Sequence, residues 1–327
     1  MRAHIPGRMP ESNGVSGYSR TMPTRRRRPP RRHRSGGKRG KWFFLATLAI
    51  LIFALIYIFA GDRIFTRIES LLFPAPDEII VTFLDVGQGK SVVLRSQGNT
   101  VLIDGGEHHA RSVVSRYLTG AEITRICYVV ASHPHSDHIG GLVQVLRDFE
   151  IGSVIMPDIS YDEHSTPAYA NFLEAIYTND VPVIFPSPGD RLLAGIIELE
   201  VLSPHPGMFS INDRSIVLRL SHGRTSFLFT GDAEFPAEQR MLAERANLSA
   251  NVLHAGHHGS RTSTSEAFLT AVDPEIAVIS AGANNRHGHP HRDVTDRLTA
   301  HGIKIKRTDE LGTIQMITDG RAIRFAP

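Results

Sequence analysis

Cysteine is nearly missing from this chain: Cys127 is the only one in 327 residues. An intrachain disulfide framework is therefore excluded, and one thiol is compatible with either side of a membrane. Cys127 sits inside the apolar run from Ile126 to Ala131, which marks it as a core residue. Acid is scarce in residues 1–41, where Glu11 alone stands against thirteen Lys and Arg, a net of +12. The whole chain carries +3, so the remainder carries −9. The pI near 9.1 describes a tail and not the body, and a nucleic-acid-binding reading from pI alone is excluded. That tail also has few large apolar residues and is rich in Arg, Pro, Gly and Ser. It cannot bury a core and is expected to be disordered. No repeat at solenoid spacing is present.

Long uncharged apolar runs are limited to Trp42–Ala60, nineteen residues. At about 1.5 Å per residue this spans a bilayer core of about 30 Å. Trp42 and Tyr57 near its ends suit the two interfaces, and the basic N-terminal side places the tail in the cytoplasm. The run is longer than a signal-peptide core and Ile58-Phe59-Ala60 is a poor cleavage site, so an uncleaved anchor is expected over a cleaved signal. The expected organisation is a disordered basic cytoplasmic tail (1–41), a transmembrane helix (42–61), a stalk (62–77) and an extracytoplasmic domain (78–327).

Within that domain, strand-like runs are expected at 79–86, 91–95, 100–103, 126–131, 153–156, 183–185, 197–202, 216–220, 226–229, 251–255, 276–280, 303–306, 312–318 and 322–325. Helical patterns fit 110–118, 139–149, 168–177, 237–246, 265–271 and 293–300. Strands with interspersed helices predict a layered α/β fold.

The densest chemistry is HPHSDH, His133 to His138, directly after an apolar strand. His133 and His135, two apart, can turn to one side of an extended loop. Asp137 and His138 then serve an adjacent position. Nitrogen and oxygen ligands of this kind suit a borderline divalent ion. Two neighbouring ions suit hydrolysis, because one acidifies a water and both clamp the reacting oxygens. A lone His is usually a surface or satisfied core residue; four ligand-type residues in six, at a strand exit, are not explained that way. Four further strand exits carry ligand types: Asp104 in LIDGG, Asp232 in FTGD, His257 and His258 in GHHGS, and His289 and His291 in GHPH. Each alone is weak, since an Asp after a strand is most often a turn or cap. A carboxylate such as Asp232 has two oxygens with which to bridge two ions.

With HxHxDH, a later TGD Asp and a strand-borne His, the chain resembles the metallo-β-lactamase superfamily. FLDVGQG, LIDGG, ASHPHSDHIGGL, NDRSIVL, FLFTGDAE, HHGSRTS and ISAGANNRHGHPH resemble the hydrolase domain of ComEC-type competence proteins, from about Ile79 onward. The resemblance implies a four-layer αββα sandwich with two divalent ions, Zn2+ or Mn2+, at one edge. His133, His135 and Asp232 would hold one ion, and Asp137, His138 and Asp232 the other. His257 or His258 would be the later ligand, with His257 the first choice. Asp104 would orient ligands from behind. His289 would face substrate, stabilising a phosphoryl oxygen or protonating the leaving group, and Asp137 and His289 are the residues read as catalytic.

The chain departs from the pattern in three places. The superfamily's usual His between HPHSDH and Asp232 has no clear counterpart: Asn212 stands about there, and His205 is a less natural candidate. Lys90 follows GQG where Asp is usual; it would contact an anionic substrate or be plain surface. A multi-span channel portion has no match in this sequence, so the chain is not expected to form a DNA conduit by itself.

The expected activity is phosphodiester hydrolysis, with single-stranded DNA as substrate in competence. A teichoic-acid or choline-phosphate linkage is the alternative substrate. A non-catalytic DNA-uptake module is disfavoured by the intact HPHSDH, and a thioester or lactone hydrolase by GHPH and NDRS.

Overall fold

The computed structural model describes residues 77–326 together with Thr47. The basic tail, the rest of the apolar run and the stalk up to residue 76 lie outside the described residues. Among the described residues no helix is long and apolar enough to cross a membrane.

Strands form wherever residues alternate between two apolar environments. They are β1 (Ile79–Phe83), β2 (Val92–Ser96), β3 (Asn99–Ile103), β4 (Arg125–Val130), β5 (Glu150–Ile155), β6 (Val183–Ile184), β7 (Arg191–Ala194) and β8 (Ile197–Ser203). The rest are β9 (Val217–His222), β10 (Thr225–Phe229), β11 (Val252–His254), β12 (Ile276–Ile279), β13 (Lys304–Arg307), β14 (Ile314–Thr318) and β15 (Ile323–Phe325). One sheet runs β15-β14-β1-β2-β3-β4-β5-β6 and the other β13-β12-β11-β10-β9-β8-β7.

Strand alternation assigns the layers. Val92, Leu94, Val101 and Ile103 of the first sheet meet Leu218, Phe227, Phe229 and Val252 of the second in a shared inner core. Their neighbours point outward. Val93 and Leu102 pack under α1 (Arg111–Gly120), with α2 (Ser136–Ile139), α3 (Leu142–Asp148) and α4 (Pro167–Thr178) on the same face. Leu228 and Leu253 pack under α5 (Phe235–Ala243), α6 (Glu266–Val272) and α7 (Arg292–Ala300). The result is the four-layer αββα sandwich.

The sheets share a pattern that positions the site. Antiparallel β1-β2-β3 gives way to parallel β3-β4-β5, and antiparallel β8-β9-β10 to parallel β10-β11-β12. Parallel neighbours end at the same edge, so the exits of β3, β4, β10, β11 and β12 gather there.

Two expectations on elements are corrected. The helix read over 139–149 is two helices broken at Gly140-Gly141, because the exit loop of β3 packs directly on the break. Gly141 N donates to Gly106 O at 2.9 Å and Gly105 N to His138 O at 2.7 Å. β7 was not expected; it is a four-residue edge strand of alternating exposure, too short for its period to stand out in sequence. A short helix α8 (Thr308–Leu311) also follows β13.

Candidate metal centre

The exit of β3 turns at Asp104, whose backbone is left-handed (φ 59°). A non-glycine residue there costs about 1–3 kcal/mol, which the surroundings must offset. Buried Asp104 accepts from Ser132 N at 2.7 Å (Oδ1) and from Ser132 Oγ at 2.8 Å (Oδ2). Its Oδ2 also meets His138 Nδ1 at 2.7 Å. This carboxylate–histidine pair fixes the His138 ring and leaves Nε2 facing the site. Ser132, one residue before HPHSDH, was not singled out in the sequence although it ties Asp104 to the histidine loop. Gly89 of the GQG loop presses on that loop from the other side. At φ +142° a Cβ there would lie 2.5 Å from Asp137 O.

Opposite stands Asp232, at the exit of β10 and 2% exposed. Four imidazoles surround its Oδ2. Nε2 of His138 is 3.2 Å away, that of His258 3.4 Å, and those of His133 and His257 3.8 Å each. Asp137 Oδ2 lies 3.1 Å from His258 Nε2 and 3.8 Å from His138 Nε2. Asp137, His138, Asp232 and His258 each offer a ligand atom, all within 4.8 Å of one another. Nε2 of His138 and of His258 are buried and make no hydrogen bond. Buried polar atoms are normally satisfied, so such atoms converging on one point fit a cation. The donor set, imidazole and carboxylate, suits Zn2+ or Mn2+.

Charge balance in the metal-free site follows from these contacts. Burial disfavours the Asp232 anion, but His138 and His258 outweigh it and hold the carboxyl well below its usual range. Burial likewise opposes a charged His138, and Asp232, Asp104 and Asp137 reverse that, holding its pKa well above the ordinary value. Burial opposes a charged His258 as well, and Asp232 with Asp137 outweighs it and raises its pKa. Burial, with neighbouring His138, pushes His133 well below.

Of the two candidates for the later ligand, His258 belongs to the four-residue cluster, while His257 Nε2 stands beside it, 3.8 Å from Asp232 Oδ2. His258 is 1% exposed, with Nδ1 fixed 2.9 Å from Ser280 O and Nε2 free to face the site. Both expectations for Lys90 are overturned. It is neither surface nor free to reach a substrate. Its ammonium is buried, donates to Gly231 O and to Ala255 O (2.8 Å), and stands 3.6 Å from Asp232 Oδ1. The Asp232 oxygen turned away from the histidines thus faces an internal cation.

His133 Nε2 lies 2.9 Å from His135 Nδ1, so this pair stays together beside Asp232. His289 lines the same cavity, its ring 6.1 Å from that of His258. Asn285 holds its backbone from both sides, at 3.0 Å and 2.5 Å. Burial, then the neighbouring imidazoles, push His289 down to about 3. In the metal-free protein it is neutral at ordinary pH and offers a hydrogen bond, which favours the charge-stabilising role over proton donation. His291 is turned elsewhere, its Nδ1 accepting from Arg261 N at 3.0 Å. His205 lines a separate cavity with Pro157, Phe185 and Arg214 and plays no part here. Asn212 brings no imidazole to the centre; its neighbour Asp213 accepts from Glu234 N at 3.1 Å.

The cluster opens into a cavity of about 460 Å³ whose wall includes His135, Asp137, His164, Arg286 and His289. His164 packs edge-on to His135, with ring centres 5.3 Å apart. No spacing in the sequence marked His164, which comes from the loop before α4.

Residues 84–283 match the family model described as the metallo-beta-lactamase superfamily. The chain belongs to that superfamily. It is 33% identical over 312 residues to ComE operon protein 3 of Bacillus subtilis (strain 168), covering 87% of this chain and 40% of that one. Competence protein ComA of Neisseria gonorrhoeae is 33% identical over 242 residues, 73% of this chain and 32% of the relative. Within the superfamily this is a hydrolase domain of the ComEC competence type, and the chain spans less than half of those two relatives. Among solved structures, the metallo-beta-lactamase fold protein YhfI from Bacillus subtilis aligns with TM-score 0.50 at 13% identity, over 73% of this chain and all of that one. CmlA, a diiron beta-hydroxylase from Streptomyces venezuelae, aligns with TM-score 0.50 at 18% identity, over 72% of this chain and 53% of that one. These two likenesses show the fold.

Proposed function

We propose that the chain is a membrane-anchored, extracytoplasmic, metal-dependent phosphodiesterase that cleaves DNA during uptake. The observation that carries this reading is the convergence of Asp137, His138, Asp232 and His258, ligand atoms within 4.8 Å, at the floor of an open cavity. These four would hold one divalent ion, and His133 and His135 with Asp232 the other. Ions bound there supply Lewis acidity at a phosphoryl oxygen and lower the pKa of a bound water.

The chain's own residues do the rest. Asp104 and Ser132 lock His138 so that Nε2 faces inward. Neutral His289 donates a hydrogen bond to a substrate oxygen. Arg286, exposed on the cavity wall, meets a flanking phosphate as a charge-assisted donor. The likeness to a relative named as a competence protein favours DNA as the polymer. The anchor Trp42–Ala60 and the basic tail support a cytoplasmic N-terminus with the hydrolase domain outside. The net −9 outside the tail favours a second reading, a neutral or zwitterionic surface polymer such as one bearing choline phosphate, because DNA contacts need Lys and Arg.

Metal analysis of the purified full chain, with a substrate panel, tests the proposal. Two divalent ions per chain are expected, with chelator-sensitive cleavage of bis-nitrophenyl phosphate and of single-stranded DNA. Both activities should vanish in His135→Ala and Asp137→Ala. Negligible metal content with chelator-resistant activity would overturn the binuclear reading. Cleavage of the small diester but never of DNA would move the assignment to the surface polymer.

A further inference from the structure

His257 occupies a strained backbone that its neighbours do not explain. It (φ 46°, ψ 48°) and His258 (φ 55°, ψ 24°) are successive left-handed residues. In an extended segment adjacent side chains point to opposite sides. The left-handed pair instead turns both imidazoles toward one carboxylate oxygen, with Nε2 of His257 at 3.8 Å and of His258 at 3.4 Å from Asp232 Oδ2. Strain of about 1–3 kcal/mol per residue persists where a site requires it.

The rest of the His257 environment is built. Its Nδ1 meets Glu234 Oε1 at 3.2 Å, and Thr262 Oγ1 donates to the same oxygen at 2.6 Å. The backbone N of Glu234 donates to Asp213 Oδ1, next to Asn212, at 3.1 Å. Glu234–His257 thus repeats the Asp104–His138 arrangement: a carboxylate fixes Nδ1 and aims Nε2 at Asp232. The Asn212 segment, which supplies no imidazole, reaches the centre through Glu234 and His257. Meanwhile Lys90 faces Asp232 Oδ1, leaving Oδ2 as the oxygen around which the histidines gather.

We propose that His257 is the fourth protein ligand of the ion held by His133, His135 and Asp232, with Glu234 as its positioning residue, so that the adjacent histidines 257 and 258 serve different ions across a single shared Asp232 oxygen. The inference rests on the two-ion reading above.

The test is Mn2+ titration of the full chain, followed by equilibrium binding and by electron paramagnetic resonance. The parent is expected to bind two Mn2+ with an exchange-coupled signal. His257→Asn, a residue that tolerates left-handed backbone, should keep one tight ion with an uncoupled six-line signal and lose the second at least 100-fold. Glu234→Gln should weaken the same ion about 10–100-fold while retaining both, the range expected for a residue behind a ligand. His258→Asn should retain an ion at the other position. If the parent binds fewer than two ions, the two-ion reading falls and this inference with it. If the parent binds two and His257→Asn also binds two with the coupled signal and unchanged affinity, the inference alone is overturned. Thermal unfolding of each variant in chelator confirms that it is folded.

Discussion

Replacing Lys90 by Met tests how the metal-free centre tolerates a buried carboxylate. Lys90 is 1% exposed, and its ammonium is held by two backbone carbonyls beside Asp232 Oδ1. Met fills a similar length of buried space without charge, so packing is largely kept. What disappears is the cation. Removing one partner of a buried ion pair costs about 3–5 kcal/mol, because the other charge is left uncompensated. The Gly231 and Ala255 carbonyls lose their donor in the same step, and that loss is contained within the range. For a domain of this size 1 kcal/mol moves Tm by about 2–4 °C, so Lys90→Met should lower Tm in chelator by about 6–20 °C. Divalent ions on the Oδ2 side would neutralise the same carboxylate, so saturating Mn2+ should narrow the gap between variant and parent. The assay is thermal unfolding of parent and variant, each with chelator and with Mn2+. A variant within about 1 kcal/mol of the parent in chelator would refute the claim that Lys90 is the counter-charge of Asp232.

Asp104→Asn keeps the shape of that side chain and removes its charge, so the His138 ring loses its anchor. Ion affinity should fall about 10–100-fold, read by calorimetric titration with Mn2+; unchanged affinity would show that Ser132 alone orients the ring. The metal-free protein should also show an inverted pH response. His138 and His258 have raised values, so their stabilisation is complete below the ordinary 6.5 and is lost as pH climbs through the folded values. Asp232 is lowered, so its stabilisation is complete above 3.8 and is lost as pH falls through the folded value. His133 and His289 are held low, so their neutral burial costs stability as pH falls below the ordinary 6.5. Tm in chelator should therefore peak near pH 6.5 and decline above about pH 7, whereas Mn2+ affinity should rise with pH as the imidazoles shed protons. A metal-free Tm that climbs steadily from pH 6 to 9 would contradict the ionised cluster.

Much of the architecture is legible because strand and helix periods are local. Val92-Val93-Leu94 shows in its own alternation that it lies between two apolar layers, and HPHSDH shows in six residues that it is a ligand loop. The break at Gly140-Gly141 is not local: it exists because Gly105 and Gly106, some 35 positions earlier, lie against it. Nor is the choice of His258 for the four-residue cluster, since GHHGS presents both rings equally until the left-handed turn places each one. Glu234, two residues after Asp232, could have been noticed as an acid beside a bridging acid, but its partner His257 is 23 residues away.

By itself, then, the order of residues determined the layered α/β class, the superfamily and the strand exits that carry chemistry, because these depend on short-range pattern and on motifs. Tertiary structure alone decided which atoms face one another around Asp232. It turned Lys90 from a surface or substrate-facing charge into a buried counter-ion and set two neighbouring histidines on one carboxylate oxygen. It also gave each of them its own anchor, Glu234 for one and Ser280 for the other. The reason is physical: burial, hydrogen-bond direction and charge balance are properties of groups brought together across the sheets, and no spacing along the chain encodes them.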